Sequence, residues 1–154
     1  MTEHEQKIKE YMYEKGVQGE HLIFEQSCHS VEAAAKAANA TPEDLVKNIC
    51  LVTGDGRLVI AVVKGEDRVS RKRVGKALGV ATPKIANPDE ILAKSGYPVG
   101  GVPSFGFEGR FLIDPRVMEK DLVYTGGGSD RSLIRITTQE LQKLNGGLVV
   151  RIRK

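Results

Sequence analysis

Asn48–Val63, NICLVTGDGRLVIAVV, sets two runs of apolar and branched residues on either side of Gly54-Asp55-Gly56. Runs of this kind read as β-strands, and the glycine-flanked aspartate between them is a hairpin signal. Helix signals lie outside it on both sides. Upstream, Glu3 to Glu14 predicts a helix closed by Gly16, Ser30 to Asn39 an alanine-rich helix with a serine N-cap, and Thr41-Pro42-Glu43-Asp44 a short helix running into Lys47. Downstream, Ser70 to Leu78 predicts a helix stopped by Gly79, and Asn87-Pro88-Asp89-Glu90 opens another that ends at Gly96. Strands are expected at Arg110–Ile113, Leu122–Thr125, Ser132–Thr137 and Leu148–Ile152, with a short helix from Thr138 to Leu144. Hairpins interspersed with helices point to an α+β domain in which helices cover part of a curved, mixed β-sheet.

Composition narrows the function classes. With 154 residues, 40% of them hydrophobic and 28% charged, the chain can bury a core as one domain spanning 1–154 without disulfides or metal. The lack of Trp and the 5% aromatic content argue against a protein that stacks many bases. A net charge of +3 permits contact with a polyanion without predicting it. No stretch approaches the roughly 20 apolar residues of a membrane span, and the polar N-terminus is unlike a signal peptide, so a cytoplasmic protein is expected. Cys28 and Cys50 lack metal or redox spacing and read as free thiols, and His4, His21 and His29 form no helical pair, so neither metal nor cofactor is expected.

Three segments carry chemistry. Gly96–Gly106, GYPVGGVPSFG, holds four glycines and two prolines and no charge; such a loop can turn its backbone N–H groups toward a ligand, although glycine and proline alone mark any surface turn. Lys47 stands before the apolar run NICLV, where its ammonium could meet a phosphate or remain a solvated surface charge. Asp114 follows RFLI and precedes Pro115, which fits a carboxylate at a cleft edge and equally a turn. Around α-helical signals, Arg68, Arg71, Lys72, Arg73 and Lys76 form a basic cluster, either an RNA surface or a solvated helix face; Arg68, Lys72 and Lys76 share one side if the helix starts early enough. Arg151, Arg153 and Lys154 form a second basic group with the look of a solubilising tail.

The blocks TPEDLVKNICLV (Thr41–Val52), GYPVGGVPSFGF (Gly96–Phe107) and LIDPRVMEKDLVYTGGG (Leu112–Gly128) resemble, in order and spacing, the YbaK/EbsC family and the editing domain inserted in bacterial prolyl-tRNA synthetases. The resemblance implies a barrel-like mixed sheet flanked by helices. It implies a trans-acting deacylase that hydrolyses the ester of mischarged aminoacyl-tRNA, without metal, with an aminoacyl-tRNA synthetase as a partner and no DNA. It assigns catalytic roles to Lys47, Gly100, Gly101 and Asp114, and substrate contacts to Val102, Pro103, Ser104, Phe105, Gly106, Gly127 and Gly128, with all three segments lining one cleft. Three departures stand out. Ser104 takes the place of the family's loop proline, and Asn48 that of a small hydroxyl residue. The histidine that follows the second glycine loop in synthetase-inserted domains is missing from Ser129–Ile136. The missing histidine argues against histidine-dependent chemistry, and Ser104 in the proline's place leaves open a non-catalytic tRNA or aminoacyl-tRNA binding protein of the same fold. A DNA-binding regulator fits less well, since no helix-turn-helix pattern is seen.

Overall fold

A computed structural model describes residues 1–154, and its central strand explains the rest. The predicted hairpin forms from β2 (Val46–Val52) and β3 (Leu58–Lys64), antiparallel and in register from Val46 opposite Lys64 to Val52 opposite Leu58. All seven residues of β3 are buried, the state its unbroken apolar run implies for a strand covered on both faces. β5 (Arg110–Ile113) pairs parallel to β3, and β8 (Leu148–Val149) parallel to β5. A parallel neighbour requires a crossover. Here it consists of α3 (Arg71–Leu78), the two-residue β4 (Lys84–Ile85), α4 (Pro88–Ser95) and the glycine-proline loop. β4 closes the other edge against β2, giving the order β4-β2-β3-β5-β8.

A second, antiparallel sheet has the order β1-β7-β6, from β1 (Gly19–Ile23), β7 (Ser132–Thr137) and β6 (Leu122–Gly126). An isolated bridge between Leu45 and Tyr124 joins the sheets. The architecture is therefore mixed α+β with two open sheets rather than a single closed barrel. The main apolar core lies between them, with Ile60, Phe105, Ile113, Ile134 and Leu141 at 1% exposure or less. α1 (Glu3–Glu14) and α6 (Thr138–Asn145) contribute to that core, whereas α3 covers the opposite face of the larger sheet through Val74.

Local signals set the helix ends. Ser70 accepts from the Arg73 N–H at 3.2 Å and Gly79 ends α3 in the left-handed region; Asn87 and Glu90 form a reciprocal capping box for α4. α2 (Val31–Ala37) starts at Ser30 as expected. The helix expected at Thr41 is only a 3-10 turn, Pro42–Asp44, because Leu45 already takes extended dihedrals and Lys47 lies within β2. β1 has no apolar alternation and forms through its pairing with β7. The last strand is shorter than expected, and Ile152 leaves the sheet to fill the α3-side core.

Asp114 ties these parts together. It is fully buried and caps α5 (Pro115–Met118) by accepting from the Arg116 N–H at 3.1 Å. Its carboxylate also accepts from the N–H groups of Ile152 and Arg153 at 3.0 and 3.1 Å and pairs with the Arg153 guanidinium at 2.9 Å. Burial pushes this carboxyl up, but the three backbone N–H groups and Arg153 outweigh it and hold it below the usual carboxylate range. Asp114→Asn should lower stability by about 3 kcal/mol at neutral pH. Because the folded-state value is depressed, the carboxylate's contribution is complete above the unfolded value of about 3.9 and lost as pH falls through the folded one. Urea melts at pH 7 and pH 3 should therefore differ less in the variant than in the parent; equal stability of the two proteins at pH 7 would contradict this role.

Candidate functional site

β4 pairs only with Leu51 and Val52, so the outer edge of β2 is open at Lys47, Asn48 and Ile49. A cleft of about 370 Å³ lies against that edge, walled by α2, α4, the glycine-proline loop and Gly126 of β6. Its lining is mostly apolar, including Ala34, Cys50, Ile91, Val102 and Leu133, and the exposed Ile85 and Val99 stand at its rim. The volume falls in the range of small-molecule sites. Cys50 accepts, through its carbonyl, the Ala86 N–H on this edge. Backbone groups of a strand alternate sides, so the main-chain N–H and C=O of Asn48 open on the same edge, beyond the end of β4.

Two glycine loops build the cleft's far wall by packing backbone on backbone. Gly128 donates its N–H to the Gly101 carbonyl at 2.8 Å, and the Val102 carbonyl lies directly against Gly126. A side chain at Gly101 would stand 2.5 Å from the Ser129 nitrogen. Behind this contact, Asn48 donates to the Val102 carbonyl and to Thr125 Oγ1, both at 2.9 Å, while Ser104 Oγ donates to Asn48 Oδ1 at 2.7 Å and lies 2.7 Å from Thr125 Oγ1. Asn48 and Ser104 thus touch each other. Ser104 is fully buried, so its hydroxyl holds the loop rather than facing a ligand. His21 Nε2 donates to the Gly127 carbonyl at 2.8 Å, a histidine at the second loop that reaches it from β1 instead of from the sequence that follows.

These bonds decide which backbone donors remain. The N–H of Gly101 goes to the Pro98 carbonyl at 3.0 Å, that of Gly127 to Ser132 at 3.2 Å and that of Gly128 to Gly101. Val99, Gly100 and Val102, which also line the cleft, have no intramolecular partner for their N–H groups. Because the Gly101 carbonyl points at Gly128, the Val102 N–H across the same planar peptide points away from the second loop.

The structure brings Lys47, Gly100 and Val102 to one cleft. Gly101, Gly127 and Gly128 lie behind them as packing positions. Pro103 and Phe105 are buried, Phe105 stacking with Tyr11 at 6.0 Å, and Gly106 lines a separate depression beside Tyr11 and Phe107. Asp114 lies away from the cleft, its oxygens occupied by Arg116, Ile152 and Arg153. Cys28 and Cys50 both line the cleft, which their sequence context did not signal. Burial raises both thiols, Cys50 to about 11, so both are protonated at neutral pH and poor nucleophiles.

A second, basic groove of about 580 Å³ adjoins the cleft, and Lys47, Ile49 and Ile85 line both. Its other cations are Arg68, Arg71, Lys72 and Lys154, and no Asp or Glu lines it. Arg73 and Lys76 are exposed but off its wall. Arg68 precedes the Ser70 cap, so it reaches the groove from the loop and not from a shared helical face. Burial and the neighbouring Arg68 charge lower the Lys47 pKa, while Asp67 opposes the shift. No group of three or more metal-ligating side chains converges anywhere in the structure, and no helix is long and apolar enough to cross a membrane.

The sequence profile of the aminoacyl-tRNA editing domain matches residues 25–144. YwhH of Bacillus subtilis (strain 168), itself of uncharacterized function, is 24% identical over 79% of this chain and 78% of its own length. The proline–tRNA ligase of Anaeromyxobacter sp. (strain K) is 26% identical over 66% of this chain, a match to only 18% of the ligase. The fold is shared with a crystal structure of a candidate trans-editing enzyme for prolyl tRNA synthetase, at a TM-score of 0.92 and 23% identity over 100% of this chain and 99% of the other.

The packing of the two loops predicts a rank order among glycine variants. Gly100 has a positive φ of 86° but open space around it, so Gly100→Ala should cost about 1–2 kcal/mol. Gly101→Ala and Gly126→Ala drive a methyl group into backbone and should cost about 3 kcal/mol or more. Thermal melts of the three variants check the order; a Gly101 variant as stable as the parent would mean that the two loops do not pack backbone on backbone.

Proposed function

The chain belongs to the aminoacyl-tRNA editing domain family, and from that membership we propose that it is a trans-acting deacylase that hydrolyses the ester of mischarged aminoacyl-tRNA. The observation that carries the reading is the junction at Lys47, where an apolar cleft with backbone donors meets a groove of five cations. A mischarged tRNA has matching chemistry: an aminoacyl group on one side of an ester and a phosphodiester chain on the other. The aminoacyl side chain enters the apolar cleft, and the terminal nucleotide crosses Lys47 into the groove.

The ester is already activated, so little chemistry is asked of side chains. Water adds to the carbonyl carbon, and the oxyanion that forms is held by the N–H groups of Gly100 and Val102. Collapse breaks the bond to the ribose oxygen, which takes up the proton lost by the water, and leaves the free amino acid and tRNA. One well-placed oxyanion donor contributes about 2.7–4 kcal/mol in other enzymes. The neutral thiols of Cys28 and Cys50 and the buried Asp114 have no part in these steps, and the reaction needs no metal. Cleft size acts as the sieve, rejecting larger side chains where a synthetase pocket gains only about 1–3 kcal/mol per methylene. The match to a segment of a proline–tRNA ligase supports a substrate made by a synthetase error and a synthetase as partner.

The non-catalytic alternative rests on Ser104. Its hydroxyl closes a buried network with Asn48 and Thr125 that keeps the loop in shape, which favours the catalytic reading.

Single-turnover hydrolysis of a panel of mischarged tRNAs, with deacylated-tRNA and duplex-DNA binding alongside, tests the proposal. Lys47→Ala should slow hydrolysis of the preferred substrate about 10–100-fold, the effect of removing one charged interaction, with an unchanged melting temperature. Cys28→Ala and Cys50→Ala should not abolish it. Since the Lys47 pKa is lowered, its contribution should fade with rising pH earlier than an exposed lysine's would, and Lys47→Arg should move that fading to higher pH. A panel in which no ester is cleaved faster than in buffer would refute the deacylase reading.

A further inference from the structure

Arg151, Arg153 and Lys154 read in sequence as a basic tail, yet the segment Val150–Lys154 is held at four of its five residues, beginning with the Val150 N–H, which donates to the Ile113 carbonyl at 3.0 Å. Ile152 is fully buried in the core on the α3 side, beside Val63, Val74 and Leu112. Its carbonyl accepts the Ser70 N–H at 2.7 Å, Arg153 bridges to Val69, and the Lys154 N–H donates to the Arg68 carbonyl at 2.8 Å. Asp114 completes the attachment with three bonds to Ile152 and Arg153. The outcome is positional: Lys154 lines the basic groove with Lys47, Arg68, Arg71 and Lys72.

The charges nearby are arranged to leave this groove positive. Asp67, adjacent in sequence to Arg68, is paired with Arg116 at 2.9 Å, and Asp114 is paired with Arg153. Neither arginine lines the groove, and none of the groove's five cations enters an ion pair. Arg71 alone has a side-chain hydrogen bond to protein, from its guanidinium to the Pro83 carbonyl at 3.2 Å. Five cations held around one groove suit a ligand that brings several negative charges in a row.

We propose that Val150–Lys154 is a working part of an RNA-binding groove, that Lys154 contacts a backbone phosphate, and that Asp114 is the positioning residue that holds the segment in place. The proposal rests on the reading of the ligand as an RNA. It gives Asp114 a role in binding at a distance from the cleft and takes Lys154 out of a solubilising tail.

The test is the affinity of the full chain for deacylated tRNA between 50 and 200 mM salt. Removing one phosphate contact should reduce the slope of log K against log salt by about 0.7–0.9. Lys154→Ala should weaken binding several-fold at 50 mM salt and reduce the slope by that amount, whereas Lys143→Ala, at an exposed position of α6, should do neither. Asp114→Asn is diagnostic because it removes a negative charge, which by field effects alone would tighten RNA binding; the latch predicts weaker binding instead. The double variant should bind no more weakly than Asp114→Asn alone. Should that variant fail to fold, Asp114→Glu keeps the charge while displacing it, and weaker binding is again expected. An unchanged slope for Lys154→Ala, tighter binding by the Asp114 variant, or additive losses in the double variant would overturn the proposal. Because deacylated tRNA carries no ester, these results stand apart from the hydrolysis panel: cleavage with an unchanged Lys154 slope sinks this inference alone, and no cleavage with the predicted slopes sinks the deacylase reading alone.

Discussion

The site depends on one close contact, the approach of the Gly101–Val102 backbone to Gly126–Gly128. No side chain intervenes, so the two loops can share hydrogen bonds as neighbouring strands do, and the distance between them is set by peptide geometry rather than by flexible rotamers. That rigidity matters for donors that must be aimed before a ligand arrives. It carries a requirement, since a backbone turned inward must find partners for its carbonyls. Gly101 finds the Gly128 N–H, and Val102 finds Asn48. The Asn48–Ser104–Thr125 network has its side-chain partners in place, and a satisfied buried network adds rigidity where a partly satisfied one would cost stability. Ser104 therefore restrains the loop through hydrogen bonds to Asn48 and Thr125.

Much of the fold was legible because its signals are local. The Ser70 and Asn87 caps, the glycines at 79 and 96 and the hairpin at Gly54–Gly56 each act within a few residues, and the elements they predict are present almost to the residue. What escaped depends on distant partners. β1 takes its shape from β7, more than a hundred residues away, and β4 is too short to carry a pattern. Asp114 shows the limit best. Asp-Pro correctly marked a change of direction, but the same dipeptide begins a turn or caps a helix, and nothing within the local sequence announces bonds to residues 152 and 153.

The site was legible in a similar, partial way. Glycine and proline content located a loop that does line the cleft, yet composition could not tell which glycines face the cleft and which face another backbone. That division depends on peptide orientation, hence on long-range bonds such as Gly128 to Gly101. Lys47, one of 23 basic residues, drew attention only through resemblance, because its setting between an apolar cleft and a cationic groove comes from the crossing of separate elements. The basic cluster divides in the structure. Arg68, Arg71 and Lys72 line the groove, but Arg73 and Lys76 follow the helix away from it, and Lys154 joins from the far end of the chain.

Strand β2 joins the two halves of the site through its pleat. Successive side chains point to opposite faces, so Asn48 turns with Val46 and Cys50 toward the glycine loops while Lys47 turns with Ile49 and Leu51 toward the α3 side. One residue thus steadies the loop that lines the apolar cleft, and its neighbour meets the basic groove. The separation between those functions is one residue of strand, and its register is set by the hairpin, where Thr53 donates its N–H to the Arg57 carbonyl at 3.0 Å and Gly56 takes a φ of 84°. A slip of one residue in that pairing would send the lysine into the apolar core and the asparagine to the groove. The turn that decides the fold in the sequence is therefore also what keeps the charge and the loop on their proper sides of the same strand.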